Sequence, residues 1–192
     1  NEAPSYYMWR ILDQDREPLR MNLAALAGVP HEELAICRNA TEALNTVIFG
    51  LPLKSGDEVV VSTYDYPNMA NAWKQRTLRD GVKLVYADPQ LPSEDDDAIV
   101  AAFTSKFTAK TKLVQITHIV NWNGQIMPVR KIADEAHKRG IEVLCDAAHS
   151  FALLDYRIPD LGCDYWGTSL HKFLCAPFGN GLMWVAKEKI GK

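Results

Sequence analysis

The chain lacks both glycine fingerprints of nucleotide binding: no GxGxxG follows a strand-like run, and no GxxxxGK[ST] opens a helix. A dinucleotide fold or a P-loop is therefore left without its phosphate cradle. No apolar run approaches the ~20 residues that a helix needs to cross a bilayer. Positive charge is not in excess, because 21 Lys and Arg stand against 24 Asp and Glu for a formal net charge of -3. That balance removes the electrostatic case for nucleic acid. Cysteine is sparse, and Cys37, Cys145, Cys163 and Cys175 fall into no CxxC or zinc-ligand spacing. Free thiols are expected and a metal site is not, with a reducing cytoplasm as the expected compartment. The opening Asn1-Glu2-Ala3-Pro4-Ser5 has no initiator methionine, and neither the basic region nor the apolar core of a secretory leader. We expect a chain cut from something longer. Internal repeats, low-complexity tracts and linkers are absent as well.

What is present is an alternating rhythm of strand and helix. At 192 residues, with 47% hydrophobic and 23% charged, the chain is expected to form one globular domain, or one lobe of a larger protein. Residues 15–28 read as a helix with Leu19, Leu23 and Leu26 on one face. A short strand over 34–37 precedes an amphipathic helix striped by Ala43, Leu44, Val47, Ile48 and Leu51. Strand 58–62, helix 67–80 stopped by Gly81, and strand 83–86 follow. Ser93 is expected to open the next helix, ahead of a strand over 113–117. Val129, Ile132, Ala133 and Ala136 mark a further helix face, ended by Gly140. Strands over 141–144, from about 164, and over 182–185 complete the series. Nearly all-apolar strands alternating with helices predict an α/β fold, with a largely parallel sheet covered on both faces.

Ligands of such sheets sit beyond the carboxyl ends of the strands, and one pair of residues there carries specific chemistry. Asp146 closes the apolar run Val143-Leu144-Cys145, and Lys172 follows 26 residues later within Ser169-Leu170-His171-Lys172-Phe173-Leu174. Burial lowers a lysine pKa and makes its amine a nucleophile toward carbonyls. An acid and such a lysine together match the needs of pyridoxal phosphate, one pairing with the pyridinium nitrogen and the other holding the aldehyde. Taken singly, each has a bland reading as a loop-capping acid or a snorkelling lysine.

Other strand ends offer groups for other edges of the same molecule. In Arg38-Asn39-Ala40-Thr41-Glu42, Asn39 reads as an N-cap and Glu42 as its capping-box partner. The amides of Ala40 and Thr41, with the Thr41 hydroxyl, then face outward as a phosphate site; a capped helix without a ligand is the alternative. Tyr66 could stack on a flat ring, or simply pack. Asn121 could bond a phenolate oxygen, although Asn121-Trp122-Asn123-Gly124 is also ordinary turn chemistry. His149 is placed to bond the cofactor or move protons, or to be structural. Ser169 is a second candidate phosphate ligand.

Several of these segments resemble one family. Arg38-Asn39-Ala40-Thr41-Glu42-Ala43-Leu44-Asn45, Tyr64-Asp65-Tyr66-Pro67, Gly124-Gln125-Ile126-Met127-Pro128-Val129 and the long run from Gly162 through Lys172 to Gly179 look like the class V aminotransferase superfamily, within it most like the isopenicillin N epimerase-like branch. The resemblance implies fold-type I pyridoxal phosphate enzymes: a three-layer α/β/α sandwich around a mostly parallel seven-stranded sheet, working as a homodimer on an amino-acid-like substrate. By position it makes Lys172 the Schiff-base lysine and Asp146 the pyridinium partner. It sets His149 and Asn121 on the phenolic oxygen, and Ala40, Thr41, Ser169 and His171 around the phosphate. It also implies that residues 1–192 are the cofactor-binding large domain, without the C-terminal small domain and its substrate-carboxylate arginine, and without a short N-terminal segment.

One departure bears on the reaction. Cysteine desulfurases of the superfamily usually stack a histidine on the ring, where this chain has Tyr66. An epimerase-like or aminotransferase-like enzyme acting at Cα is therefore expected. The alternatives are a cysteine desulfurase or C–S lyase on the same scaffold, and a non-catalytic binding lobe; intact Lys172 and Asp146 argue against the last.

Overall fold

A computed structural model describes residues 3–191. Helix α1 (Pro4–Tyr7), a π-helical turn (Met8–Leu12) and helix α2 (Asp13–Ala27) run on without interruption, so the first helix begins well before the expected residue 15. Of the expected stripe, only Leu23 is buried; Leu19 and Leu26 are exposed. The contact face is instead Leu23, Ala24 and Ala27, at the end that meets the sheet.

Seven strands form one sheet: β1 (Leu34–Cys37), β2 (Glu58–Ser62), β3 (Lys83–Ala87), β4 (Thr111–Thr117), β5 (Glu142–Asp146), β6 (Tyr165–Ser169) and β7 (Gly181–Val185), in the order β1-β7-β6-β5-β4-β2-β3. The neighbours from β3 across to β6 pair in parallel, and β7 runs antiparallel to both β6 and β1. Alternate side chains divide the core in two. Val59, Val61, Leu113 and Leu144 pack under α3 (Ala40–Gly50) and α4 (Pro67–Asp80). Val60, Val114, Ile116, Val143 and Trp166 pack on the other face, against α2, α5 (Asp96–Thr104), α6 (Val129–His137) and α7 (Ile158–Leu161). This is the expected three-layer α/β/α arrangement.

Local chemistry moved a few boundaries. Ser93 does not open a helix, because its hydroxyl accepts from the Asp95 N–H at 3.0 Å. Asp95 is the cap instead, accepting from the Ala98 N–H at 3.0 Å, and α5 starts at Asp96. Helix α6 ends at His137, and Gly140, with φ of 69°, closes the turn that follows. Helix α7, only four residues long, was too short to read from periodicity.

Candidate active site

The turn from β1 into α3 is built from two side-chain bonds. Asn39 caps the helix, its Oδ1 accepting from the Glu42 N–H at 2.8 Å. Glu42 does not close the expected capping box on Asn39. Its carboxylate takes the Arg38 N–H at 2.6 Å, one residue earlier, and pairs with the Arg38 guanidinium. This turn lies directly over the start of β7. A Cβ on Gly181 would sit 2.6 Å from the Asn39 Cα and 2.7 Å from the Thr168 carbonyl oxygen, so only glycine lets the turn approach this closely. The approach also brings Ser169 to the helix end, where its Oγ accepts from the Ala40 N–H at 2.8 Å. The Ala40 amide is thus not free, as the sequence suggested, but hands its role to the Ser169 hydroxyl.

Around this corner, a cavity of about 220 Å³ opens beyond the carboxyl ends of the parallel strands. All nine residues singled out from the sequence line it: Ala40, Thr41, Tyr66, Asn121, Asp146, His149, Ser169, His171 and Lys172. Asn39, read from the sequence only as a cap, joins them, as do Asn68 and Thr117, which were missed. Thr117, last in its strand, was recoverable from its position; Asn68 sits in the first turn of α4, where nothing in the sequence sets it apart.

Asp146 ends β5 with 5% of its surface exposed, and its Oδ1 accepts from the Ala148 N–H at 3.0 Å. Burial raises its pKa, while the Ala148 amide and then Lys172 pull it back. Lys172 is half-buried and moves the opposite way, lowered by burial with Asp146 opposing. His149 is lowered by burial and next by Lys172. The Lys172 Nζ lies 6.0 Å from the Tyr66 ring centroid, and the Tyr66 ring forms one wall of the cavity. Phe173 meets the His149 ring edge-on at 5.9 Å, and Phe178 meets the His171 ring at 4.9 Å. His171 Nδ1 is buried without a hydrogen-bond partner.

A larger groove, about 400 Å³, runs beside β1 along Leu34, Val47, Leu51 and Met183. Its charged groups are already engaged: Lys189 with Glu142 and Asp164, Glu33 with the Trp184 indole N–H, and Glu32 with the His31 ring. It presents no reactive group, so the chemistry belongs to the smaller cavity. Among the described residues, no cluster of His, Cys, Asp and Glu could hold a metal, and no helix is long and apolar enough to cross a membrane.

Residues 10–192 match the profile of the family Aminotransferase class-V. The chain belongs to the class V aminotransferases. It is 34% identical over 172 residues to the isopenicillin N epimerase of Streptomyces clavuligerus, covering 89% of this chain and 43% of that protein. It is 32% identical over 177 residues to a probable cysteine desulfurase of Xylella fastidiosa, covering 91% of this chain and 42% of the relative. The class V chain thus spans less than half the length of these relatives. Its fold is shared with the cystine C-S lyase C-DES, solved with its product cysteine persulfide, at a TM-score of 0.88 and 24% identity over 93% of this chain and 48% of that one. The apo cysteine desulfurase of Thermococcus onnurineus superposes at a TM-score of 0.82 with 25% identity, over 91% of this chain and 43% of the other.

Class V enzymes depend on pyridoxal phosphate, and the residues present fit that group. The helix α3 end, Thr41, Ser169 and the unpartnered His171 Nδ1 supply donors for an anion at one corner. A buried carboxylate, a lysine of lowered pKa and an aromatic wall complete the set of groups that a phosphorylated pyridine aldehyde needs.

Proposed function

We propose that this chain is the cofactor-binding large domain of a pyridoxal phosphate enzyme that acts at the Cα of an amino-acid-like substrate, in the manner of an isopenicillin N epimerase or an aminotransferase. The observation that carries the reading is Lys172, a lysine of lowered pKa opposing buried Asp146 across one small cavity. When bound, pyridoxal phosphate supplies an aldehyde that condenses with amines and a ring that draws electrons from a substrate's Cα.

The chain's own residues do the rest. Lys172 would hold the aldehyde end and, once released by the substrate amine, would be the base positioned to take the Cα proton. Asp146 holds a proton on the ring nitrogen, and His149 and Asn121 hold the phenolic oxygen. Ser169 accepts from the Ala40 N–H, which leaves its own hydroxyl proton for a phosphate oxygen. Thr41 and His171 complete that corner, and Tyr66 covers one ring face. Delivery of a proton to the opposite face of Cα by a second donor would be epimerisation, and delivery away from Cα would be transamination.

The kinship with cysteine desulfurases supports a second reading, C–S bond cleavage on the same scaffold. Tyr66 at the stacking position weighs against it, and sulfide release from cysteine by the full-length protein would favour it. Exposed Trp122, Phe173 and Phe178 support a homodimer with the cavity near its interface. Free cysteines at all four positions support a reducing, cytoplasmic setting.

The test is borohydride reduction of the protein with pyridoxal phosphate, followed by peptide mass mapping. The adduct is expected on Lys172 and is expected to vanish in Lys172→Ala. A borohydride-stable adduct on another lysine would refute the assignment.

A further inference from the structure

Asp65 is a buried acid to which the reading above gives no task. It sits just past β2 with 6% of its surface exposed. Its Oδ2 accepts from the Ser62 N–H at 2.9 Å, and its Oδ1 shares a 2.7 Å hydrogen bond with the Thr117 hydroxyl. The Gln115 carboxamide, whose Oε1 accepts from the Trp73 indole N–H at 2.8 Å, faces it from β4, while its Nε2 makes no hydrogen bond of normal geometry. Among the largest influences on it, the charged one is Asp146, a second carboxyl. Burial and that repulsion push Asp65 up to about 7.

Topology explains the meeting. Thr117 ends β4, pairs in register with Asp146 on β5, and lines the cavity. It therefore stands between two buried acids on adjoining elements. Two carboxyls in one dry wall do not both ionise cheaply, and the pair titrates as a unit. With Asp65 neutral, its O–H donates to the Thr117 Oγ1 and its carbonyl still accepts from the Ser62 N–H. The Thr117 proton is then released toward the cavity. With Asp65 ionised, it takes that hydroxyl proton back.

We propose that Asp65, held by Thr117, is a positioning acid whose charge biases that of Asp146 and hence the field at the ring nitrogen of the bound cofactor. The proposal rests on the cofactor reading above, and its test separates the two. Asp65→Asn mimics the neutral acid bond for bond, with the amide donating to Thr117 and the carbonyl accepting from Ser62, so it is expected to fold. In the cofactor-free protein, carbon NMR of the Asp65 carboxyl should show a midpoint that falls by about one unit in Asp146→Asn. A midpoint that ignores Asp146→Asn overturns the acid pair. In the holoprotein, the visible band of the lysine-linked cofactor is titrated with pH. Asp65 ionises as pH rises through about 7, so above that pH Asp65→Asn lacks its negative charge and should lower the band's midpoint by about half a unit or more. Thr117→Val should displace it as well, and Thr117→Ser should restore it. This hydroxyl series decides the relay even where Asp65→Asn folds poorly. Midpoints equal to wild type in Asp65→Asn and Thr117→Val overturn the proposal. A wild-type protein with no visible band would sink the cofactor reading instead, and the cofactor-free titration would then decide the acid pair alone.

Discussion

Replacing Gly181 with alanine tests whether the cup at the α3 end depends on one missing side chain. The new Cβ would lie 2.6 Å from the Asn39 Cα, 2.7 Å from the Thr168 oxygen and 2.8 Å from the Asn39 carbonyl carbon, where ordinary contact begins at 3.4 Å. All three neighbours are backbone atoms, so no rotamer change relieves the clash, and the turn must lift by about 0.8 Å. A lift of that size along the bond from the Ala40 N–H to Ser169 Oγ stretches it from 2.8 Å to about 3.6 Å, past hydrogen-bonding range. Overpacking costs about 1–3 kcal/mol and the lost buried bond about 1 more. At the ~2–4 °C per kcal/mol typical of this chain length, the melting temperature should fall by about 5–15 °C. Pyridoxal phosphate should bind about tenfold more weakly or worse, one such bond being worth that much. Gly50→Ala serves as the control, because an added Cβ there meets nothing within 4 Å and sits at the end of α3. It should be neutral or stabilise by up to about 1 kcal/mol. A Gly181→Ala protein that melts with the wild type and binds cofactor equally well refutes the reasoning.

Other perturbations read different parts of the molecule. Burial lowers His118 from 6.5 to about 4, so the stability it contributes is whole above pH 6.5 and is lost as pH falls through 4; that loss is about 3 kcal/mol, and His118→Phe should flatten this acid limb in urea titrations followed across pH. An unchanged acid limb would clear His118 of that role. Arg76, 3% exposed, donates to the Ile48 carbonyl at 2.6 Å and the Leu51 carbonyl at 3.1 Å at the end of α3, and pairs with Asp80. Arg76→Met should cost about 3–5 kcal/mol by denaturant unfolding, and a loss under about 1 kcal/mol would show that water replaces it. Asp146→Asn should leave cofactor binding largely intact yet cripple solvent exchange of the substrate Cα proton, and unchanged exchange would remove Asp146 from its role.

The sequence revealed most where a physical rule leaves little choice. Alternating apolar strands had to be covered on both faces, and the rule that ligands gather at the carboxyl ends of parallel strands brought nine distant residues to one cavity. The antiparallel placing of β7 between β1 and β6 was not legible, because apolar periodicity carries no strand direction. Gly181 went unnoticed for the same reason: its need appears only once the Asn39 turn crosses it. Asp65 was visible merely as a polar residue in an aromatic turn, and its burial depends on Thr117 from a strand 52 residues away in the chain. Glu42 was read correctly as a capping residue but assigned to the wrong amide, since Arg38 offers it both an N–H and a guanidinium.

The charges at the centre of the cavity hold one another in place. Burial acts oppositely on its central pair, raising Asp146 and lowering Lys172, and their mutual attraction offsets part of both shifts. Each therefore stabilises the charged form of the other against burial. A ligand that occupied the amine and brought a basic ring nitrogen beside Asp146 would replace one cationic partner of that acid with another. Were Asp65 ionised beside them, it would add a second negative charge that repels Asp146. A neutral Asp65 spares Asp146 that repulsion, and the Thr117 hydroxyl is the group that lets Asp65 stay neutral without leaving a buried donor unpaired.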